Sequence, residues 1–213
     1  MTTRKLILKM SMSLDGFVGG PNGEIDWLFR STDPESTAWT VASIASAGLH
    51  AMGRKSYADM AAYWPTSTEP FAEPMNRIPK VVFSRGAGGP PATTRAIEDA
   101  RAQEVGRRAA ADPAAVASWR DARILTGDLA DEIARLKAEG GGDIIAHGGA
   151  SFARALVATG LIDEYRLLIH PVALGRGLPI FERPIDLALV ATRRFPKGVV
   201  AHVYQGRASS SAS

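Results

Sequence analysis

Asp143-Ile144-Ile145-Ala146-His147-Gly148-Gly149-Ala150-Ser151-Phe152 is the stretch around which the chain organises. A short apolar run ends in two glycines. A helical pattern follows, with Phe152 and Leu156 on its inner side and Gly160 as its stop. The run predicts a strand handing over to a helix through a tight turn, with Ser151 as the helix cap. Two absent side chains at such a corner bare backbone N–H groups at a helix N-terminus. Free donors and the helix dipole then favour a diphosphate. A tight turn with no ligand uses the same residues, and no G-x-G-x-x-G fingerprint is present.

The flanking segments repeat the strand-then-helix theme. Leu6, Leu8, Met10 and Met12 alternate along a predicted strand that ends at the turn pair Asp15-Gly16. Gly19-Gly20-Pro21-Asn22-Gly23 reads as a mobile loop. A helix is expected over 34–48, with Gly48 as its stop. The short strand His50-Ala51-Met52 leads into Gly53-Arg54-Lys55-Ser56 and a short helix, and 80–84 reads as a buried strand. Residues 86–92 are Gly/Pro-rich, and 95–111 are Ala-rich and charged, a solvated helix or a loosely ordered insertion. Beyond a strand at 122–125, Asp128 caps a helix that turns Leu129, Ile133 and Leu136 inward, ends before Gly140 and offers an Asp131–Arg135 i,i+4 pair. Past Gly160 only strands are legible, at 165–172, 185–191 and 199–204.

Alternation first and strands alone afterwards predict α/β architecture. The expected fold is a single three-layer α/β/α domain over residues 1–206, with a mixed, mostly parallel sheet and antiparallel C-terminal strands. Residues 207–213 are expected to be a disordered tail.

Composition narrows the function. At 213 residues the chain can bury one sizeable core. It has no cysteine, which excludes disulfides, thiolate metal sites and thiol catalysis. No apolar run reaches 18 residues, and Met1 to Lys9 lacks the apolar block of a signal peptide, so no membrane association and a cytoplasmic location are expected. Lys+Arg exceed Asp+Glu by 25 to 22, but the pairs Arg107-Arg108 and Arg193-Arg194 are scattered among acids. That argues for no nucleic acid partner and is compatible with an anionic small molecule.

Three corners carry candidate phosphate chemistry, all at predicted C-terminal strand ends, where open α/β sheets bind ligands. Gly148, Gly149, Ala150 and Ser151 form the first. Gly53, Arg54, Lys55 and Ser56 form the second; it narrowly misses the Walker A spacing, so ATP hydrolysis is not expected. Ser84 and Arg85 form the third, with a guanidinium fork suited to phosphate. Each also reads as a solvated cation or plain turn. Asp15, Glu24 and Asp26 are the carboxylates near the glycine loop. Asp15 and then Asp26 are the candidates to orient substrate or govern a proton, against turn and capping roles. Trp27 and Trp64 read as core more readily than as walls for a planar ligand. His50, His147, His170 and His202 show no metal spacing, and no metal site is expected. Gly149 to Ala153 lacks the last glycine of a nucleophile elbow and no triad is legible, so acyl hydrolysis is discounted.

These pieces, in order, resemble the dihydrofolate-reductase-like superfamily, most closely the reductase domain of the riboflavin-biosynthesis deaminase-reductase. The residues that carry the resemblance are Met12 to Phe17, Gly23 to Trp27, Met52 to Tyr57, Lys80 to Arg85, Ile144 to Ser151, and Leu161 to Glu164 continuing through Pro171, Leu174, Gly175 and Phe181. The resemblance implies an NADPH-dependent reductase of a C=N or C=O group in a planar heterocyclic or sugar-derived substrate. Gly53, Arg54, Lys55 and Ser56 would hold phosphates near the adenosine half, and Ser84 and Arg85 would meet the 2′-phosphate. Gly148, Gly149, Ala150 and Ser151 would cradle the pyrophosphate, and residues 16–26 would cover nicotinamide and substrate. Relatives suggest a homodimer. Dihydrofolate reductases carry a carboxylate on the helix after that loop; its place here falls near Thr37, with Asp33 and Glu35 only nearby, so folate reduction is not expected. Residues 87–120 read as a family-atypical insertion. The alternative of a different class is an NADP(H)- or nucleotide-binding protein without turnover.

Overall fold

The computed structural model describes residues 3–84 and 112–206. Strand β1 (Leu6–Ser13) sits in the middle of the molecule and sets its layers. Its Leu6, Leu8, Met10 and Met12 join one large core cluster, while Ile7 belongs to a separate cluster on the opposite face. Period-two alternation with both faces covered is what a central parallel strand requires.

The elements follow as α1 (Pro34–Ala45), β2 (Leu49–Gly53), α2 (Arg54–Tyr63), α3 (Ala72–Arg77), β3 (Lys80–Phe83), α4 (Pro113–Arg120), β4 (Arg123–Leu125), α5 (Leu129–Ala138), β5 (Ile144–His147), α6 (Ala150–Thr159), β6 (Glu164–His170), β7 (Leu187–Arg194) and β8 (Val200–Gly206). The eight strands form one sheet in the order β4-β3-β2-β5-β1-β6-β8-β7. Every pairing from β4 across to β6 is parallel, and β8 runs antiparallel to both β6 and β7. Helices α5 and α6 cover one face through Ile133, Leu136, Phe152 and Leu156. On the other face lie Ile44 of α1, Met75 of α3 and Trp119 of α4, with Tyr57 and Met60 of α2 packed against them. This is the expected three-layer α/β fold with a mixed sheet.

Local chemistry explains the element ends. Asp33 caps α1 by accepting from the Ser36 amide at 2.8 Å, and the Ser36 hydroxyl in turn accepts from the Asp33 amide. The helix stops at Ala45, short of the expected Gly48, whose backbone lies too close to Gly142 to admit a Cβ. Asp128 caps α5 as expected. Arg135, however, bonds Glu132 at 3.1 Å instead of Asp131, because the longer glutamate reaches across one turn. Helix α6 is capped by Gly149 instead of Ser151, since Gly149 is the last extended residue before Ala150; Gly160 ends the helix in the left-handed conformation.

The largest departure concerns residues 113–120. Expected within an insertion, they form α4, which buries Ala115 and Trp119 one turn apart. The Trp119 indole donates to Asn76 Oδ1 at 2.8 Å, and the Tyr57 hydroxyl donates to the Trp119 carbonyl at 2.7 Å, so α4 is tied to α3 and α2. The rest of that stretch, the Arg107-Arg108 pair, Arg85 and the tail 207–213 lie outside the described residues.

Candidate active site

The strand order creates a crevice at one place. From β1 the chain crosses through α1 to β2, on the far side of β5; from β5 it crosses through α6 to β6, on the far side of β1. The two connections leave in opposite directions over opposite faces. Beyond the carboxyl ends of β1 and β5 lies the switch point, where open α/β sheets take ligands. The register sharpens this. Lys9 pairs with His147, the last residue of β5, whereas Met10 to Ser13 of β1 have only β6 beside them. The sheet therefore splits just past His147, where Gly148 and Gly149 turn the chain into α6.

Two of the three expected corners meet there. Gly53 is the last residue of β2 and the N-cap of α2, as Gly149 is of α6, and neither helix receives a side-chain cap. The corners are stitched together: the Gly149 amide donates to Ser56 Oγ at 2.9 Å. The glycines serve the packing of the corners themselves. A Cβ on Gly53 would fall 2.9 Å from Phe152 Cβ, and one on Gly148 2.6 Å from Met10 Cε. Arg54 and Lys55 follow Gly53 in the first turn of α2, while Ala150 and Ser151 open α6 with first-turn amides that have no intrahelical acceptor. The donor set is thus a pair of glycine-capped helix starts with two adjacent cations, chemistry that fits a phosphorylated ligand. The third corner is present as Ser84, which follows β3 and draws its amide onto the Leu125 carbonyl at 2.9 Å.

The residue that sequence reasoning missed is Lys9. It shares a sheet face with Ile7, level with the last residue of β5 and opposite α1. Burial pushes its ammonium down to about 8, and no carboxylate offsets that. Its charge in turn helps to hold His147 and His170 neutral; burial is the first cause for both, and His170 is brought down to about 4. Nε2 of each of these histidines is buried without a hydrogen-bond partner, and Ser31 Oγ meets His170 Nδ1 at 2.9 Å. His50 and His147, far apart in the sequence, lie edge to face with ring centroids 4.7 Å apart. A lysine interrupting an otherwise apolar strand was the available signal. Across from it, α1 buries Ser36, Thr40 and Ser43. Asp33 is spent on its cap and on the Lys197 amide, and Glu35 pairs with Arg193 at the surface.

The predicted carboxylates sit elsewhere. Asp15 accepts from Ser13 Oγ at 2.6 Å, the Gly175 amide at 2.7 Å and the Leu174 amide at 3.1 Å. Those bonds, the Ser13 hydroxyl first, hold its carboxyl below the usual range. It clamps the end of β1 to the β6–β7 connection. The glycine loop, expected to be mobile, is tied to the same connection by Val18 N–H to the Leu178 carbonyl and Leu178 N–H to the Gly19 carbonyl, each 2.9 Å. Asp26 pairs with Arg30 at 3.3 Å in an exposed turn, beside a cavity of about 600 Å³ between the two loops. Trp27 is buried edge-on against His170, and Trp64 packs on Phe71. Among the described residues no group of three or more His, Asp or Glu is placed to hold a metal, and no helix is long and apolar enough to cross a membrane.

A split, mostly parallel mixed sheet flanked by helices, with glycine-capped helix starts at its switch point, defines an open α/β fold. The chain belongs to the RibD C-terminal domain family, whose model matches residues 4–201. The uncharacterized protein YyaP of Bacillus subtilis is 32% identical over 209 residues, covering 94% of each chain. Two solved structures share the fold. One is a diaminohydroxyphosphoribosylaminopyrimidine deaminase/5-amino-6-(5-phosphoribosylamino)uracil reductase of Thermotoga maritima (TM-score 0.60, 12% identity, 96% of this chain and 57% of that one). The other is a dihydrofolate reductase of Enterococcus faecalis complexed with NADP(H) (TM-score 0.55, 11% identity, 96% and 97%). The expected superfamily and its riboflavin branch are thereby met.

Proposed function

We propose that this chain is an NADPH-dependent reductase acting on a C=N or C=O group of a small planar heterocycle of the pyrimidine kind or of a sugar-derived compound. The observation that carries the reading is the meeting of the stitched corners Gly53–Ser56 and Gly148–Ser151 at the β1/β5 switch point, with Lys9 level with His147 at the end of β5. The printed activities of the Thermotoga and Enterococcus proteins, a uracil reductase and a dihydrofolate reductase, support the same class.

In this reading Gly148, Gly149, Ala150 and Ser151 receive the pyrophosphate. Arg54, Lys55 and Ser56 face the adenosine half, and Ser84 lies toward the 2′-phosphate. The bound nicotinamide supplies a hydride, and the protein supplies orientation and a proton. Lys9 Nζ is the group suited to the proton. Near neutrality it is still mostly protonated, and its acidity is close to the working pH, the condition for efficient general acid catalysis. Asp15, its carboxyl held ionised by three donors, shapes the mouth of the crevice instead. The α1 face offers hydroxyls where a folate reductase offers a carboxylate, so pterins are expected to be poor substrates.

The test is NADPH oxidation by the full chain against pterins, ribityl-pyrimidines and small carbonyl compounds. Turnover of a pyrimidine or carbonyl compound is the expected result. Saturable NADPH binding with no turnover on any of them would leave a nucleotide-binding protein, and no binding at millimolar NADPH would defeat the reading altogether.

A further inference from the structure

At the opposite end of the sheet, where the parallel strands begin, lies a second cavity of about 490 Å³. That is within the size range of small-molecule sites. Four cations line it, Arg4, Arg77, Lys80 and Arg123, against two carboxylates, Asp121 and Glu139. Asp121 is already paired with Arg120, and Glu139 takes Arg123 through both oxygens at 3.0 Å. Lys80 receives no acid, and Arg4 feels only Glu139, already engaged by Arg123, and Asp143. Arg4, 7% exposed, donates through Nε to the Gly142 carbonyl. Lys80, 3% exposed, donates to the Asn76 carbonyl and to Ser118 Oγ and lies over the Trp119 ring, 4.6 Å from its centroid.

Burying the Lys80 ammonium on neutral acceptors, beside an Arg4 guanidinium whose acidic neighbours are Asp143 and an already engaged Glu139, costs stability. The pair is placed where an anion would repay that cost. The wall is also held in advance. Asn76 is fixed by the Trp119 indole and by its own donation to the Trp64 carbonyl at 3.0 Å, so Lys80 and Ser118 cannot drift. A serine whose oxygen accepts from Lys80 still has its own hydrogen to give to a ligand oxygen. Arg77 stands at the rim, bonded to Glu73 at 2.6 Å with more than half its side chain exposed, free to swing a planar fork over an entering oxyanion.

We propose that this cavity is a second, anion-binding site for a phosphate-bearing small molecule, separate from the reductase crevice. Strand β2 joins the two, with Leu49 lining the cavity and Gly53 at the crevice. The proposal stands whether or not the crevice binds NADPH.

The experiment is thermal unfolding of the full chain with inorganic pyrophosphate added at constant ionic strength. The parent chain is compared with Arg77→Gln, Lys80→Met and the crevice variant Lys55→Gln. Expected are a saturable rise in Tm for the parent chain and for Lys55→Gln, and an apparent affinity at least fivefold weaker in Arg77→Gln and Lys80→Met. No saturable rise in the parent chain overturns the proposal. So does a rise lost in Lys55→Gln and kept in Arg77→Gln, which would place the anion in the crevice. If Lys80→Met does not fold, Arg77→Gln decides, because its side chain is outside the core.

Discussion

Lys9 and the three buried histidines show how much one position in a sheet can matter. Lys9 stands level with His147 at the end of β5, its ammonium pushed down to about 8 by burial. If it delivers the proton, kcat falls as pH rises through about 8. Lys9→Met then lowers kcat at least tenfold with a smaller change in KM and removes that alkaline limb; a kcat profile unchanged by the substitution would discard Lys9 as the acid. His170 carries a stability prediction. Unfolded, it takes a proton near its ordinary value of 6.5; folded, it resists until about 4. Between those values the unfolded chain binds more protons, so stability is lost as pH falls through that window. The shift amounts to about 3 kcal/mol once pH is below 4. Urea unfolding from pH 7 to 4 should show this slope reduced by up to one proton in His170→Gln, with His50, His147 and, toward pH 4, the lowered carboxylates such as Asp15 and Asp33 contributing to the remainder.

Among the elements, α4 and the stitched corners best display the logic of the fold. Helix α4 has a narrow buried stripe, Ala115 and Trp119, on an otherwise exposed surface. Yet its Trp119 belongs to the second core cluster with Met52, Met75 and Val82. Trp119→Ala should cost about 3–5 kcal/mol in chemical denaturation, the usual loss for emptying a large core aromatic. A loss below about 1 kcal/mol would return residues 113–120 to the status of a dispensable insertion. The corners depend on one another in the same way. Gly149 caps α6, Ser56 of α2 accepts its amide, and Gly53 leaves room for Phe152 of α6, so the two helix starts move together or not at all.

Considered as one body, the protein has two ends with different chemistry. The carboxyl ends of the strands hold the switch-point crevice, and the amino ends hold the cationic cavity. Strands β2 and β3 run from one to the other in continuous register, Leu49 and Lys80 lining the cavity and Gly53 and Ser84 standing at the far end. A cofactor that binds only the folded chain stabilises all of it by mass action. NADPH at a hundred times its Kd should add about 2.7 kcal/mol to global unfolding. Calorimetry that finds the unfolding transition unmoved at millimolar NADPH would speak against the cofactor and leave the fold untouched.

Most of the architecture was legible in the chain before folding, because it rests on short-range rules. Alternation marked β1, the Gly148-Gly149 pair marked a strand–helix corner, and Asp128 and Gly160 marked helix ends, since caps, turns and period-two burial are properties of neighbouring residues. The candidate site was legible in part for the same reason: Gly53 to Ser56 and Gly148 to Ser151 announced two corners. A carboxylate before glycine looks alike whether it meets substrate or clamps a loop, so the clamp that Asp15 makes was not legible, and α4 was missed because two buried residues in eight make a faint stripe. Lys9 beside His147, His50 against His147, Ser56 on Gly149, and Arg4 with Lys80 around one cavity are pairings between distant segments. They exist because β5 is inserted between β2 and β1 in one register, a choice that hydrophobic burial over the complete sheet makes and that no local stretch encodes.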